Sequence, residues 1–196
     1  MKEIEMKRIS ALVLIGLILC GCGEKSKPLP PPTEEEVSAF VEAALEGNTA
    51  AVSAALDKGV PVDLKDANGN TALMAAAFNG HNETMQVLID AGANVNLRVN
   101  QGVTPLMAAC GPYPQAVRLL LENGAEVNAI DEIENFTALM YAAVEGLSPV
   151  VDILLEYGAD PNMVDVDNDT AANFARQRGF KDLADKLQAL ETKETP

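Results

Sequence analysis

Three methionines, Met74, Met107 and Met140, recur at intervals of 33 residues, and thioether sulfurs in series are soft donors that suit copper. The interval argues against a shared ion. Equivalent side chains on successive packed helices lie roughly 8–10 Å apart, so apolar packing is the expectation. The run "DVDNDT", Asp165 to Thr170, opens as a calcium loop does, with a carboxylate at alternate positions. Such a loop needs glycine at its sixth position and glutamate at its twelfth. Thr170 and Arg176 stand there instead, so no specific calcium site is expected. His81 is the only histidine; it pairs with no visible nucleophile and cannot build a histidine-rich metal centre alone. No glycine-rich phosphate loop occurs. The residues therefore predict no catalytic group, no cofactor and no metal. An enzymatic or metal-handling role remains the least favoured alternative.

The cysteines carry a different chemistry. The first ten residues are short and weakly basic, and "ALVLIGLILCGC" follows as an apolar run of about a dozen residues, short of the roughly 20 that span a bilayer. This is the layout of a secretory signal over residues 1–21, with translation starting at Met1 or at Met6. Leu19-Cys20-Gly21-Cys22 resembles the bacterial lipobox. That resemblance implies that Cys22 receives a diacylglycerol and becomes the mature N-terminus, while Cys20 is removed. Gly23, not aspartate, follows Cys22, so the resemblance further implies an outer-membrane address facing the periplasm. Cys110 is left without a partner, which excludes a disulfide framework and makes it an inert core thiol.

Residues 22–33 hold Pro28, Pro30, Pro31 and Pro32 and read as a stiff tether. Polyproline rises about 3.1 Å per residue, so ten such residues reach roughly 30 Å. The whole chain of 196 residues has a net charge of −15, and losing residues 1–21 makes it one unit more negative. Such a body will not seek nucleic acid or an anionic lipid surface. Its attachment to a membrane would come from the N-terminal lipid alone.

The remaining residues repeat. "TALMAAAFNGHNETMQVLIDAGANVN" from Thr71 returns from Thr104 as "TPLMAACGPYPQAVRLLLENGAEVN" and from Thr137 as "TALMYAAVEGLSPVVDILLEYGADPN". A degraded copy begins at Thr170. In each unit the threonine predicts a helix N-cap and a glycine its end. Three consecutive alanines give the first helix a smooth face for close approach. Met85, Leu88 and Ile89 fall at helical spacing in the second. Gly59, Gly92, Gly124 and Gly158 close each second helix, and Asp63, Asn96, Asn128 and Asn162 follow as turn residues. One such unit cannot bury its apolar face alone; stacked neighbours bury it for each other. Period, turn residues and hydrophobic phase together resemble the ankyrin repeat.

The fold class expected from the resemblance is an all-α ankyrin-repeat solenoid of helix-turn-helix units with hairpin-like fingers. It covers residues 34–190 in about five units: an N-cap over 34–65, repeats over 66–98, 99–130 and 131–164, and a C-cap over 165–190, followed by a tail at 191–196. Three departures stand out. The methionines occupy the place of the family's histidine. Pro112 and Pro114 in "CGPYPQ" should end a first helix early. The insertion "DEIENF", Asp131 to Phe136, alters the third finger, which lacks the glycine present at 69 and 102.

The resemblance implies a non-enzymatic module that binds a partner protein through a preformed concave surface. Lys65, Asp66 and Asn68 in the first finger, Arg98, Asn100 and Gln101 in the second, Glu132, Ile133 and Glu134 in the third, and Asp165 and Asp167 in the last are the expected polar contacts. Phe78, Tyr141, Val144 and Glu145 would line the helical part, with interior packing as the competing role for Phe78 and Tyr141. The acidic charge calls for a partner with a basic patch, and the chain itself is expected to be a monomer. Bacterial periplasmic proteins of this type imply two variants of the role: immunity against a toxin, or support of an oxidative-stress enzyme.

Overall fold

The computed structural model describes residues 31–191; Cys22 and all but the last residues of the tether lie outside them. Each threonine does what its position predicts. Thr71, Thr104 and Thr137 have extended backbone, and each hydroxyl accepts from the amide three residues on, at 3.3, 3.3 and 3.2 Å. They start α3 (Ala72–Phe78), α5 (Pro105–Ala108) and α7 (Ala138–Val144). Thr170 does the same for α9 (Ala171–Gln177). Earlier come α1 (Glu34–Leu45) and α2 (Thr49–Asp57). The second helices are α4 (Asn82–Asp90), α6 (Pro114–Glu122), α8 (Ser148–Glu156) and α10 (Lys181–Glu191).

Thr33, read above as tether, is the N-cap of α1. Its hydroxyl accepts from the Glu36 amide, and the Glu36 carboxylate accepts from the Thr33 amide at 2.8 Å. Those bonds, backbone first and side chain second, hold the Glu36 carboxyl below its usual range. The three glutamates in the first turn sit where the helix dipole favours negative charge.

The first helices stack as an inner layer and the second helices as an outer one. Every residue of α3 except Phe78 is buried, as are Ala138, Leu139, Met140, Ala142 and Ala143 of α7. Alanine allows this approach because it removes bulk without adding a polar group. Met74, Met107 and Met140 are core side chains, each below 8% exposure. Met85 and Leu88 in α4, Val117 and Leu120 in α6, and Val151 and Leu154 in α8 fill the space between layers. Across the outer layer, the Thr49 and Thr84 hydroxyls meet at 2.8 Å.

The turn residues act between units. Asp63 accepts from the Asn94 amide at 3.0 Å, Asn96 from Glu126 at 2.8 Å, and Asn128 from Asp160 at 2.9 Å. Asn96 and Asn128 also donate onward to the carbonyls of Gly124 and Gly158. This ladder pins each outer-helix end to the next.

Between units the chain forms short fingers closed by single antiparallel bridges: Lys65 to Thr71, Val99 to Val103, Ile130 to Thr137 and Val164 to Thr170. The third finger has no glycine because Asn135 takes the left-handed backbone, at φ 60°, as Asn168 does in the fourth. At the C-terminal end Arg176, Arg178 and Lys181 are exposed as a cap requires. Asn173 is half-buried, and its amide oxygen accepts from the Thr170 amide and hydroxyl, completing a capping box.

Candidate partner-binding groove

A cleft of about 910 Å³ opens on the inner layer, lined by α1, the first finger, α3, α5 and the chain from Cys110 to Tyr113. Its origin is local. α5 has four residues where α3 and α7 have seven, as the two prolines predict. Neither proline offers an amide to a continuing helix, and the chain leaves the helical path after Ala108. Leu45, Phe78, Gly111 and Val144 are one repeat apart from each other in sequence. At Gly111 the side chain that the other three units carry is missing.

Leu45, Phe78 and Tyr113 border the cleft with exposures of 41%, 63% and 37%. Phe78 is therefore a surface side chain rather than an interior one. Tyr113 packs closely on Gly80: a Cβ added to that glycine, which is in left-handed backbone at φ 69°, would collide with the base of the Tyr113 ring. The lining includes Met74, Met107, Cys110 and Tyr141. Its two charged members, Glu42 and Asp66, are both carboxylates.

Tyr141 does double duty. Its hydroxyl donates to Asp131 at 3.0 Å, and its ring stands edge-on to Phe136 at 5.5 Å. Burial, then the neighbouring carboxylate, pushes its phenol up to about 12. Asp131 clips the third finger, accepting from the amides of Ile133, Glu134 and Phe136 at 3.1, 2.9 and 3.4 Å. Burial would raise its carboxyl, but these amides and the Tyr141 hydroxyl together hold it below the usual range. Cys110 points its thiol at the carbonyls of Leu106 and Ala138, each 3.3 Å away. Burial pushes the thiol up to about 12, so it stays protonated and unreactive at neutral pH.

Of the residues read from the sequence, Asp66, Asn68, Phe78 and Tyr141 come together on this cleft. The others lie elsewhere. Lys65 donates to the carbonyl of Arg98 at 3.3 Å, and Arg98 to that of Ile130 at 2.7 Å, so both cations reach along the stack to the next finger. Asn100 donates to Asn68 at 2.6 Å, and the Gln101 carbonyl accepts from the Glu132 amide at 2.7 Å. Glu132, Ile133, Glu134 and Asp167 are exposed at the third and fourth fingertips, where Ile133 and Val166 reach 50% and 55% exposure. Asp165 is buried and clips its own finger by accepting from Asp167 and Asp169 at 2.9 and 2.8 Å. The first of the calcium-like carboxylates is thus a finger clip, as Asp66 is for Asn68 and Asn70 in the first finger. Val144 is half-buried and its carbonyl accepts from Arg178; Glu145, the C-cap of α7, is exposed.

Sequence reasoning missed Leu45, Glu42 and Tyr113. Leu45 was findable as the residue one period before Phe78, and Tyr113 sits inside the "CGPYPQ" departure. His81 has a structural place: its imidazole packs against Gly47, and Nε2 lies 3.0 Å from the Leu45 carbonyl. Among the described residues no three His, Cys, Asp or Glu side chains are grouped to hold a metal ion, and no helix is long and apolar enough to cross a membrane.

Comparison with known proteins agrees with the repeat. The family model for ankyrin repeats in three copies matches residues 14–99, 40–131 and 97–165. Over 75 residues, 38% of the chain, it is 43% identical to glycerophosphocholine phosphodiesterase gde1 of Schizosaccharomyces pombe, covering 7% of that protein. It is 47% identical over 71 residues to human mitochondrial disaggregase, covering 36% of this chain and 10% of the relative. It is 40% identical over 67 residues to mouse ankyrin repeat family A protein 2, covering 34% of this chain and 20% of the relative. The chain thus spans a small part of each relative, and the likeness extends over about two repeats.

Proposed function

Since the chain belongs to the ankyrin repeat family, we propose that it is a non-enzymatic protein-binding module whose concave face takes a partner with a basic patch. Ankyrin repeats serve as protein-interaction modules, and solenoids of this kind present extended concave surfaces. The observation that carries the reading is the cleft itself: exposed Leu45, Phe78 and Tyr113 stand around a hollow whose charged lining is acidic. A protein surface offers large apolar side chains beside a polar rim chiefly where another molecule covers them. Crosslinking in the native cell, followed by identification of the captured protein, tests it. Capture is expected to weaken as salt rises, and to fall in Phe78→Ser. Salt-insensitive capture would contradict the electrostatic part.

The tether belongs to the same proposal. Acylation at Cys22 would hold the repeats to a bacterial outer membrane, facing the periplasm, and the support for it is the Leu19-Cys20-Gly21-Cys22 sequence after an apolar run. Labelled palmitate should enter the wild-type chain and not Cys22→Ser, and the variant should leave the membrane fraction. Retention of both label and membrane association in Cys22→Ser would refute the anchor.

A further inference from the structure

Resting on that protein-binding reading, we propose that the hollow over Gly111 is a socket for one bulky apolar side chain of a partner segment that carries lysine or arginine beside it. The repeat itself sets the size. The register that puts Leu45, Phe78 and Val144 in three units puts Gly111 in the fourth, so the array lacks one side chain there, and Pro112 and Pro114 draw the chain away from the helical path. Tyr113 and Phe78 border the gap. A Cβ built on Gly111 would lie 3.5 Å from the Tyr113 ring and 3.9 Å from the Phe78 carbonyl, both ordinary contact distances. A Cβ fits there at ordinary contact distances, and this chain does not supply one.

Charge selects what accompanies it. Glu42 and Asp66 line the cleft, and no lysine or arginine does. The Asp66 Oδ1 is committed to the amides of Asn68 and Asn70, whereas the Glu42 carboxylate has no partner among the described residues. Glu42 therefore faces the cleft as an unneutralised charge, within a chain of net charge −15. A partner with an acidic flank would bring like charges together, and one with a basic flank gains an attractive pair and a faster encounter.

The gap also provides its own test, because Gly111 is not in left-handed backbone and a Cβ built on it meets no clash. Phage-displayed random dodecapeptides are selected against the full-length chain at low salt. The expected consensus places an aromatic or large aliphatic residue within a few positions of lysine or arginine. The selected peptide should bind about tenfold more weakly to Gly111→Leu, which plugs the socket, and to Phe78→Ser. It should bind about threefold more weakly to Glu42→Gln, with the difference vanishing in high salt. Circular dichroism melts of the variants confirm that each folds. Failure to enrich any peptide, an acidic consensus, or unchanged binding to Gly111→Leu would overturn the socket. Peptides that ignore Gly111→Leu but are lost in Ile133→Lys would move binding to the fingertips, sinking the socket while leaving the wider protein-binding reading intact.

Discussion

Removing the Asp131 carboxylate should cost more than removing any other finger side chain. Four donors converge on it: three backbone amides and the Tyr141 hydroxyl at 3.0 Å. A bond to a charged acceptor contributes about 1.5–3 kcal/mol, and a buried donor left unpaired costs about 1–3 kcal/mol. Ile133 and Glu134 are exposed, so water can serve their amides after truncation. The Tyr141 hydroxyl and the Phe136 amide are half-buried and lose most. Asp131→Ala should then destabilise by about 3 kcal/mol, and Asp131→Asn, which keeps an acceptor and the shape, by about 1 kcal/mol. For a domain of this size that is a fall in Tm of about 6–12 °C for the alanine variant. Asp165→Ala, where only two amides converge, serves as the control and should cost about half as much. A double-mutant cycle of Asp131→Ala with Tyr141→Phe isolates the hydroxyl bond, with an expected coupling of about 1 kcal/mol. The pH dependence has two opposite arms. The carboxyl of Asp131 is held below its usual range, so its contribution is complete above about pH 4 and fades as pH falls through its lower folded value. Tyr141 is raised to about 12, so the neutral phenol is favoured in the folded state. Its contribution is present below about pH 10 and is lost as pH rises from there toward 12. Urea unfolding of the four single variants and the double variant at pH 7, and of Tyr141→Phe across the alkaline range, reads all of this. A cost for Asp131→Ala no larger than that for Asp165→Ala, or an alkaline arm unchanged in Tyr141→Phe, would refute the convergence argument.

Three further outcomes follow from named contacts. Gly80→Ala should destabilise by about 2–3 kcal/mol, because the new Cβ meets the Tyr113 ring at 2.3 Å in left-handed backbone; Gly92→Ala, with the same strain and nothing within 4 Å, should cost about 1 kcal/mol, and equal Tm losses would show that the ring contact is unimportant. In a Cys20→Ser/Cys22→Ser background, Cys110 should react with a thiol reagent only as fast as the chain opens, since burial raises its thiol to about 12; immediate labelling at pH 8 would place the thiol in solvent. Glu156→Gln should change stability by less than about 0.5 kcal/mol, because the Arg118–Glu156 pair is 40% and 59% exposed; a loss above about 1 kcal/mol in urea unfolding would make that pair a structural tie between α6 and α8.

Most of the architecture was written in local rules. Thr71, Thr104, Thr137 and Thr170 mark the helix starts because an N-cap needs only its own side chain and the amide three residues on. Gly92, Gly124 and Gly158 mark the ends because a left-handed residue is a local demand. The shortening of α5 was equally legible, since a proline removes an amide wherever it stands. Thr33 was misassigned to the tether because the prolines before it dominate the composition, while its capping box with Glu36 is a pairwise signal three residues long. The missing glycine of the third finger was visible, but not its replacement by Asn135, because asparagine tolerates left-handed backbone without advertising it.

The groove was legible in kind and not in outline, and the reason is geometric. Which residues face one hollow depends on the side chain absent from the next repeat, an effect at a separation of 33 residues or more. Phe78 is solvent-facing at 63%, and one repeat on, at Gly111, there is no side chain beside it. The finger residues misled for the opposite reason. Lys65, Arg98 and Asp165 look like free charges in a string of letters, yet the first two serve the next finger's carbonyls and the third its own finger's amides. In a stacked array the neighbour above decides whether a polar side chain is structure or surface. Exposed charge on a finger is thus a weak sign of recognition here. The break in the repeat, where the array leaves one side chain out, is the stronger one.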